Sequence, residues 1–262
     1  MVTSTSFVAE TPASAPLTPK GPSPEPTVTA RDAQALLDAT VADVTAAFGG
    51  ELGVATMGER GPVTAGFADP TPAWSTMKVP IAVAATRTQP GLESDVRAAI
   101  TVSDNEAAGR LFDAVGPDAV DSVLSEAGVP AQVSMADLRP EFSTFGQTLL
   151  SAADEAVLAD SLPCADGSGP VLGYMGQVDA SQRYGLGAVG ALFKGGWGPD
   201  TAGNYHVRQL GLIPRGDGVW SPVALTAIPA DGTYETGQAM LTAAATRLAQ
   251  ASPALPAARC QP

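Results

Sequence analysis

Strand-like runs occur in only two places in this 262-residue chain, one near each end of its folded part, and that arrangement narrows the possible folds. Ala33, Leu36, Leu37, Val41, Val44 and Phe48 recur at helical spacing until Gly49-Gly50 stops the run. Leu52 to Met57 then reads as a strand, "GERG" (Gly58 to Gly61) as a turn, and Pro62 to Phe67 as a second strand. A helix is expected from about Ser75 to Ala85. Residues 92–160 read as mostly helical, broken by glycines, prolines and a loop over 128–145. Strands return at 191–194, 205–213 and 222–228, the last two joined by "PRGDG" (Pro214 to Gly218), and a final helix covers 234–251. The simplest assembly is one antiparallel sheet drawn from both ends of the chain, with the helical block inserted between them. The expected fold class is α+β, with a site where the insert meets the sheet edge.

The composition removes several function classes. With 45% hydrophobic and 16% charged residues the chain can bury a core. A formal charge of -13 opposes binding to nucleic acid, which needs clustered Lys and Arg, and opposes an anionic membrane surface equally. No run approaches the roughly 18 apolar residues of a spanning helix, so the domain is not expected to be membrane-embedded. With one histidine, His206, no Cys/His metal cluster can be assembled, and neither metal nor cofactor is expected. His206 alternates along a strand with Arg208, Leu210 and Leu212 and reads as a packing or surface residue.

Residues 1–10 have neither a basic start nor an apolar core, so no signal peptide is visible. Thr11 to Thr29 holds six prolines and few large apolar residues, which reads as an extended tether over residues 1–30 ahead of a domain at 31–262. Such a tether fits a spacer from an export or anchoring segment, hence a secreted or envelope-tethered protein. Cys164 and Cys260 fit a single disulfide in an oxidising compartment, or stand as two unrelated thiols.

Three stretches carry chemistry when taken together: Ser75-Thr76-Met77-Lys78 in "AWSTMKVP", Ser103-Asp104-Asn105 in "TVSDNEAAG", and Lys194-Gly195-Gly196-Trp197-Gly198 in "ALFKGGWGPD". On a helix, positions i and i+3 share a face, so Ser75 and Lys78 can bring a hydroxyl to an amine. Singly, "SDN" reads as a helix N-cap and "KGGWG" as a turn. In this order they resemble the signature set S-x-x-K, S-D-N and K-T-G of the class A serine β-lactamases and penicillin-binding DD-peptidases. The resemblance covers about 31–251 and implies a five-stranded antiparallel sheet flanked by helices, plus an all-helical lobe.

Carried over residue by residue, the resemblance makes Ser75 the acylated nucleophile and Lys78 its proton acceptor. It makes Ser103 the relay to the leaving nitrogen and Lys194 a second positive charge that attracts a substrate carboxylate. Asn105 would hold the substrate amide and Lys78. The N–H groups of Ser75 and Trp197, beside Gly196, would form the oxyanion hole. Arg208 would reach a substrate carboxylate from its strand. The implied substrate is a small molecule, a β-lactam or a peptidoglycan-like peptide.

The chain also departs from the pattern. Ser75 and Ser103 are close in sequence, which implies an open cleft. Gly195 removes the hydroxyl of K-T-G, and Trp197 adds a large aromatic surface. The deacylating E-x-x-L-N motif is absent, and Glu141 in "RPEFSTFGQT" stands at its position without the leucine and asparagine, either a solvated loop residue or a base. Slow deacylation is the expectation. The alternative is a catalytically idle relative that binds cell-wall peptide or a protein partner, and a weaker third reading is an esterase of small acyl esters.

Overall fold

The computed structural model describes residues 1–2, 30–216 and 218–262. Most of the Pro-rich tether expected over 1–30 lies outside them. Helix α1 (Ala30–Phe48) leads through Gly49-Gly50, both at positive φ, into the hairpin of β1 (Glu51–Gly58) and β2 (Gly61–Gly66). A two-residue strand β3 (Thr71–Pro72) precedes the central helix α2 (Lys78–Thr88), followed by α3 (Glu93–Thr101), α4 (Asn105–Val115) and α5 (Pro117–Ala127). A loop then runs to β4 (Leu149–Leu150), which pairs antiparallel with β3, and on to α6 (Ala152–Ser161) and α7 (Ser168–Met175). The chain returns through β5 (Leu192–Pro199), β6 (Tyr205–Pro214) and β7 (Trp220–Ile228) and ends with α8 (Tyr234–Gln250).

The five long strands form one antiparallel sheet in the order β2-β1-β7-β6-β5, so the two ends of the chain meet at β1 and β7. Successive side chains leave a strand on opposite faces. On β1, Val54 packs toward α1 and α8 while Ala55 joins the helical insert. On β7, Leu225 and Ala224 divide in the same way. Both faces are covered, which is why these strands read as continuous apolar runs. The second core is built from α2 to α7. Helix α2 runs through its middle, with every residue from Lys78 to Ala85 buried. Pro80 falls in its first turn, where a missing N–H costs little.

Two expected elements changed. The helix placed from Ser75 begins as a 3-10 turn, Trp74–Met77, because Thr76 N–H donates to the carbonyl of Ala73 three residues back and the Thr76 hydroxyl adds a second bond to it. The strand placed at 191–194 continues through Gly195, Gly196 and Gly198 to Pro199. Those glycines are not turn residues. A Cβ on Gly196 would lie 2.6 Å from the Ala73 carbonyl oxygen, and one on Gly198 2.5 Å from the Trp74 ring. The strand presses against the Ser75 turn, and only glycine permits that approach.

Cys164 and Cys260 are joined by a disulfide, tying the end of α6 to the C-terminal segment. Beside it Asp160 pairs with Arg259 at 2.7 Å. Among the described residues no helix is long and apolar enough to cross a membrane.

Candidate active site

The three motifs meet at one end of the sheet. Ser75 stands in the 3-10 turn between β3 and α2, and the residue before it, Trp74, has φ 53°, a left-handed conformation that is costly for a bulky side chain. Ser103, at the α3–α4 junction, has φ 59°. Asp104 caps α4 by accepting from Ala107 N–H, which leaves Ser103 and Asn105 on either side of it free to turn inward.

Lys78 is fully buried, and three acceptors fill its amine: the Ser103 carbonyl at 2.5 Å, the Ser103 hydroxyl at 3.1 Å and Asn105 Oδ1 at 2.7 Å. Lys194, on β5 and equally buried, donates to the same Ser103 hydroxyl at 3.0 Å and to the Gly195 carbonyl at 2.7 Å. The Ser75 hydroxyl is not among the partners of Lys78, whose donors are already used, and it opens on to the cleft instead. Burial lowers the Lys78 amine to about 8, against a smaller upward pull from Asp104. Burial, then the neighbouring Lys78, holds Lys194 well below an ordinary lysine.

The cleft in front of Ser75 has a volume of about 260 Å³. Asn105, Glu141 and Trp197 reach it together with Trp74, Phe142 and Tyr205. These last three were not singled out in the sequence, although "AWS" places an aromatic directly before the serine. Trp74 packs edge-on against Phe142 at 5.0 Å, and Trp197 and Tyr205 lean on Tyr234 at 5.3 and 5.7 Å. Gly196 sets its backbone on the nucleophile turn: an added Cβ would stand 2.9 Å from Ser75 N. Glu141 is exposed and pairs with Arg139 at 3.0 Å, and its carboxyl lies below the ordinary value, held there by a bond from its own backbone N–H and then by Arg139.

Arg208 requires a correction. Its guanidinium does not reach the cleft. It is buried behind the nucleophile turn, donating to the carbonyls of Thr71, Pro72 and Leu150 at 2.9, 3.2 and 2.9 Å and standing 3.0 Å from Glu155 Oε2 in an ion-pair contact outside hydrogen-bonding geometry. On β6 its register opposite Gly196 turns it toward α6, where the buried Glu155 carboxylate captures it. Glu155 also accepts from the Thr76 hydroxyl at 2.5 Å, so the pair supports the residue next to Ser75. Burial raises the Glu155 carboxyl, against the pull of Arg208 and Thr76. His206 is half-buried on β6 opposite Gly198, and burial lowers its imidazole.

Comparison with solved structures finds the same architecture repeatedly. A β-lactamase from Sphaerobacter thermophilus superposes with a TM-score of 0.65 at 20% identity, covering 85% of this chain and 98% of the other. The fold is that of the serine β-lactamases. A class A β-lactamase from Mycobacterium abscessus gives a TM-score of 0.66 at 16% identity over 83% and 99% of the two chains. A β-lactamase from Chitinophaga pinensis gives 0.66 at 16% over 85% and 99%. No protein-family model and no curated protein sequence matches the chain. At these identities the likeness establishes the β-lactamase fold, including the five-stranded antiparallel sheet and its helical insert.

Proposed function

We propose that the domain at 31–262 is a serine acyl-hydrolase or acyl-transferase that is acylated on Ser75 by β-lactams or peptidoglycan-like peptides and deacylates slowly. The observation that carries the reading is the Ser103 hydroxyl held between two buried lysines, 3.1 Å from Lys78 and 3.0 Å from Lys194, beside the cleft that Ser75 lines. Burial lowers the Lys78 amine to about 8, so a fraction of it is neutral near neutral pH and available as a base.

In the proposed step Lys78 takes the Ser75 proton while Ser75 Oγ bonds to the substrate carbonyl carbon. The developing oxyanion lies against the N–H groups of Ser75 and Trp197, and Asn105 orients the substrate amide. The proton then passes through the Ser103 hydroxyl to the leaving nitrogen as the C–N bond breaks. Release needs an activated water. Among the described residues Glu141 is the one carboxylate lining the cleft, and its pairing with Arg139 makes it a weak base, which supports slow deacylation. The disulfide supports an extracytoplasmic site of action, and the Pro-rich 1–30 stretch would be the tether.

Intact-protein mass spectrometry over time after addition of a penicillin tests this. Ser75 should gain the mass of the drug and lose it slowly. Ser75→Ala should abolish the gain, and Glu141→Gln should change release little, whereas losing a well-placed base costs about a hundredfold or more. Absence of any mass gain would favour an idle binding protein.

A further inference from the structure

The cleft in front of Ser75 offers aromatic surface and no free positive charge. Trp74, Phe142, Trp197 and Tyr205 line it in two braced pairs, the first in edge contact at 5.0 Å and the second backed by Tyr234. Among the described residues no Lys or Arg lines the cleft. The nearby cations are all engaged. Lys78 and Lys194 are fully buried and bonded to Ser103, Asn105 and the Gly195 carbonyl. Arg208 is turned behind the nucleophile turn on to Glu155. Arg139 is bonded to Glu141 and to the Pro199 carbonyl and lies over the Phe142 ring at 4.3 Å. The one charged group that does line the cleft is the Glu141 carboxylate, more than half exposed. A carboxylate on a bound substrate would meet a like charge and aromatic faces, with no donor fork to receive it.

We infer that, among acyl donors including the β-lactams proposed above, this site favours those bearing an aromatic group, uncharged aryl-substituted esters or amides among them, and gains nothing from a substrate carboxylate. The inference rests on acylation of Ser75 and specifies what is acylated from. Rings fixed by their own packing present large apolar area at little entropic cost, so an arylacetyl group can bury there without reorganising the cleft. With an ester the chemistry balances without a co-reactant other than water. The Ser75 Oγ–acyl bond forms, the acyl–alkoxy bond breaks, and the Ser75 proton leaves with the alcohol by way of Lys78 and Ser103. Water later cleaves the acyl-serine.

The test uses the intact chain and matched probes. Benzylpenicillin and its methyl ester differ only in the carboxylate, and p-nitrophenyl phenylacetate and p-nitrophenyl acetate differ in the aryl group. Acylation rates are read by mass spectrometry and nitrophenol release. The methyl ester should label Ser75 at least as fast as the free acid, and the phenylacetate should react about tenfold or more faster than the acetate. Phe142→Ala should shrink that aryl preference. A free acid that labels about tenfold or more faster than its methyl ester, the least that a charge-assisted contact contributes, overturns the inference while leaving Ser75 acylation intact. Equal rates for the two nitrophenyl esters overturn it as well. No mass gain from any probe removes Ser75 acylation itself, and the inference with it.

Discussion

Arg208→Met is the most informative perturbation of the fold behind the site. Arg208 is fully buried, and its loss would leave Glu155, equally buried, without a cation. Breaking a buried pair from one side costs about 3–5 kcal/mol. The same change strips donors from the Thr71, Pro72 and Leu150 carbonyls, each worth about 1 kcal/mol or more, so we expect the loss to reach the top of that range, about 5 kcal/mol. Against a typical domain stability of about 5–15 kcal/mol, such a variant sits close to the limit of folding. The double variant Arg208→Met/Glu155→Leu removes the stranded carboxylate too, and most of the loss should return, because replacing both members of a buried pair is commonly neutral. The Thr76 hydroxyl keeps the Ala73 carbonyl as acceptor at 2.7 Å but loses its tie to α6, so the folded double variant should acylate Ser75 more slowly than wild type. Urea unfolding followed by tryptophan fluorescence measures the stabilities, and mass spectrometry the acylation. A loss under about 1 kcal/mol in the single variant, the range of surface changes, would refute the argument. So would a double variant no more stable than the single one.

Acylation should depend on pH through Lys78. The amine must be neutral to accept the Ser75 proton and titrates at about 8, so the rate should rise about tenfold per unit below that value and level off above it. Asp104→Asn removes the charge that pulls Lys78 upward and should move the midpoint lower. A rate independent of pH would remove Lys78 from the step. Gly196→Ala should cut acylation about a hundredfold and lower stability by about 1–3 kcal/mol, since the new Cβ displaces the backbone at Ser75 and Ala73. Reduction of Cys164–Cys260, which closes a 96-residue separation, should lower stability by about 4–5 kcal/mol in the chain-entropy account, and a change below about 1 kcal/mol in urea midpoints converted to free energy would contradict it.

The sheet was legible because its strands are buried on both faces and read as apolar runs between glycine turns, as at Leu52 to Met57 and 222–228. The β5 strand was cut short because Gly195, Gly196 and Gly198 look like turn residues locally. The need for Gly196 and Gly198 arises from a long-range contact with Trp74 and Ser75 that no window of neighbouring residues contains. Arg208 failed for a related reason. Its face on β6 was open to either side, and what decides it is a carboxylate 53 positions earlier, on a helix. A signal was present: Glu155 falls on the apolar side of α6 between Ala152 and Ala159, where an ionisable residue needs a buried partner. The cleft aromatics were hidden for want of any pattern, since Phe142 and Tyr205 are isolated in sequence and meet only in the fold.

The placement of Ser103 joins the electrostatics to the chemistry. Its hydroxyl accepts from both lysines and carries one proton of its own, so it can pass a proton only if one amine is neutral when Ser75 attacks. Burial and Lys78 both act against the charge of Lys194, whereas Asp104 partly sustains that of Lys78. A neutral Lys194 still donates to Ser103 and to the Gly195 carbonyl and so fixes the hydroxyl without holding a charge in the site. Burial is what lowers Lys78 to about 8, and Asp104 is what keeps it from falling further. Placing a permanent cation at position 194 would undo both effects at once, lowering Lys78 further and drawing substrate carboxylates into the cleft. In the proposed mechanism the buried lysine at that position would therefore serve proton transfer and the exclusion of charged substrates by the same physical means.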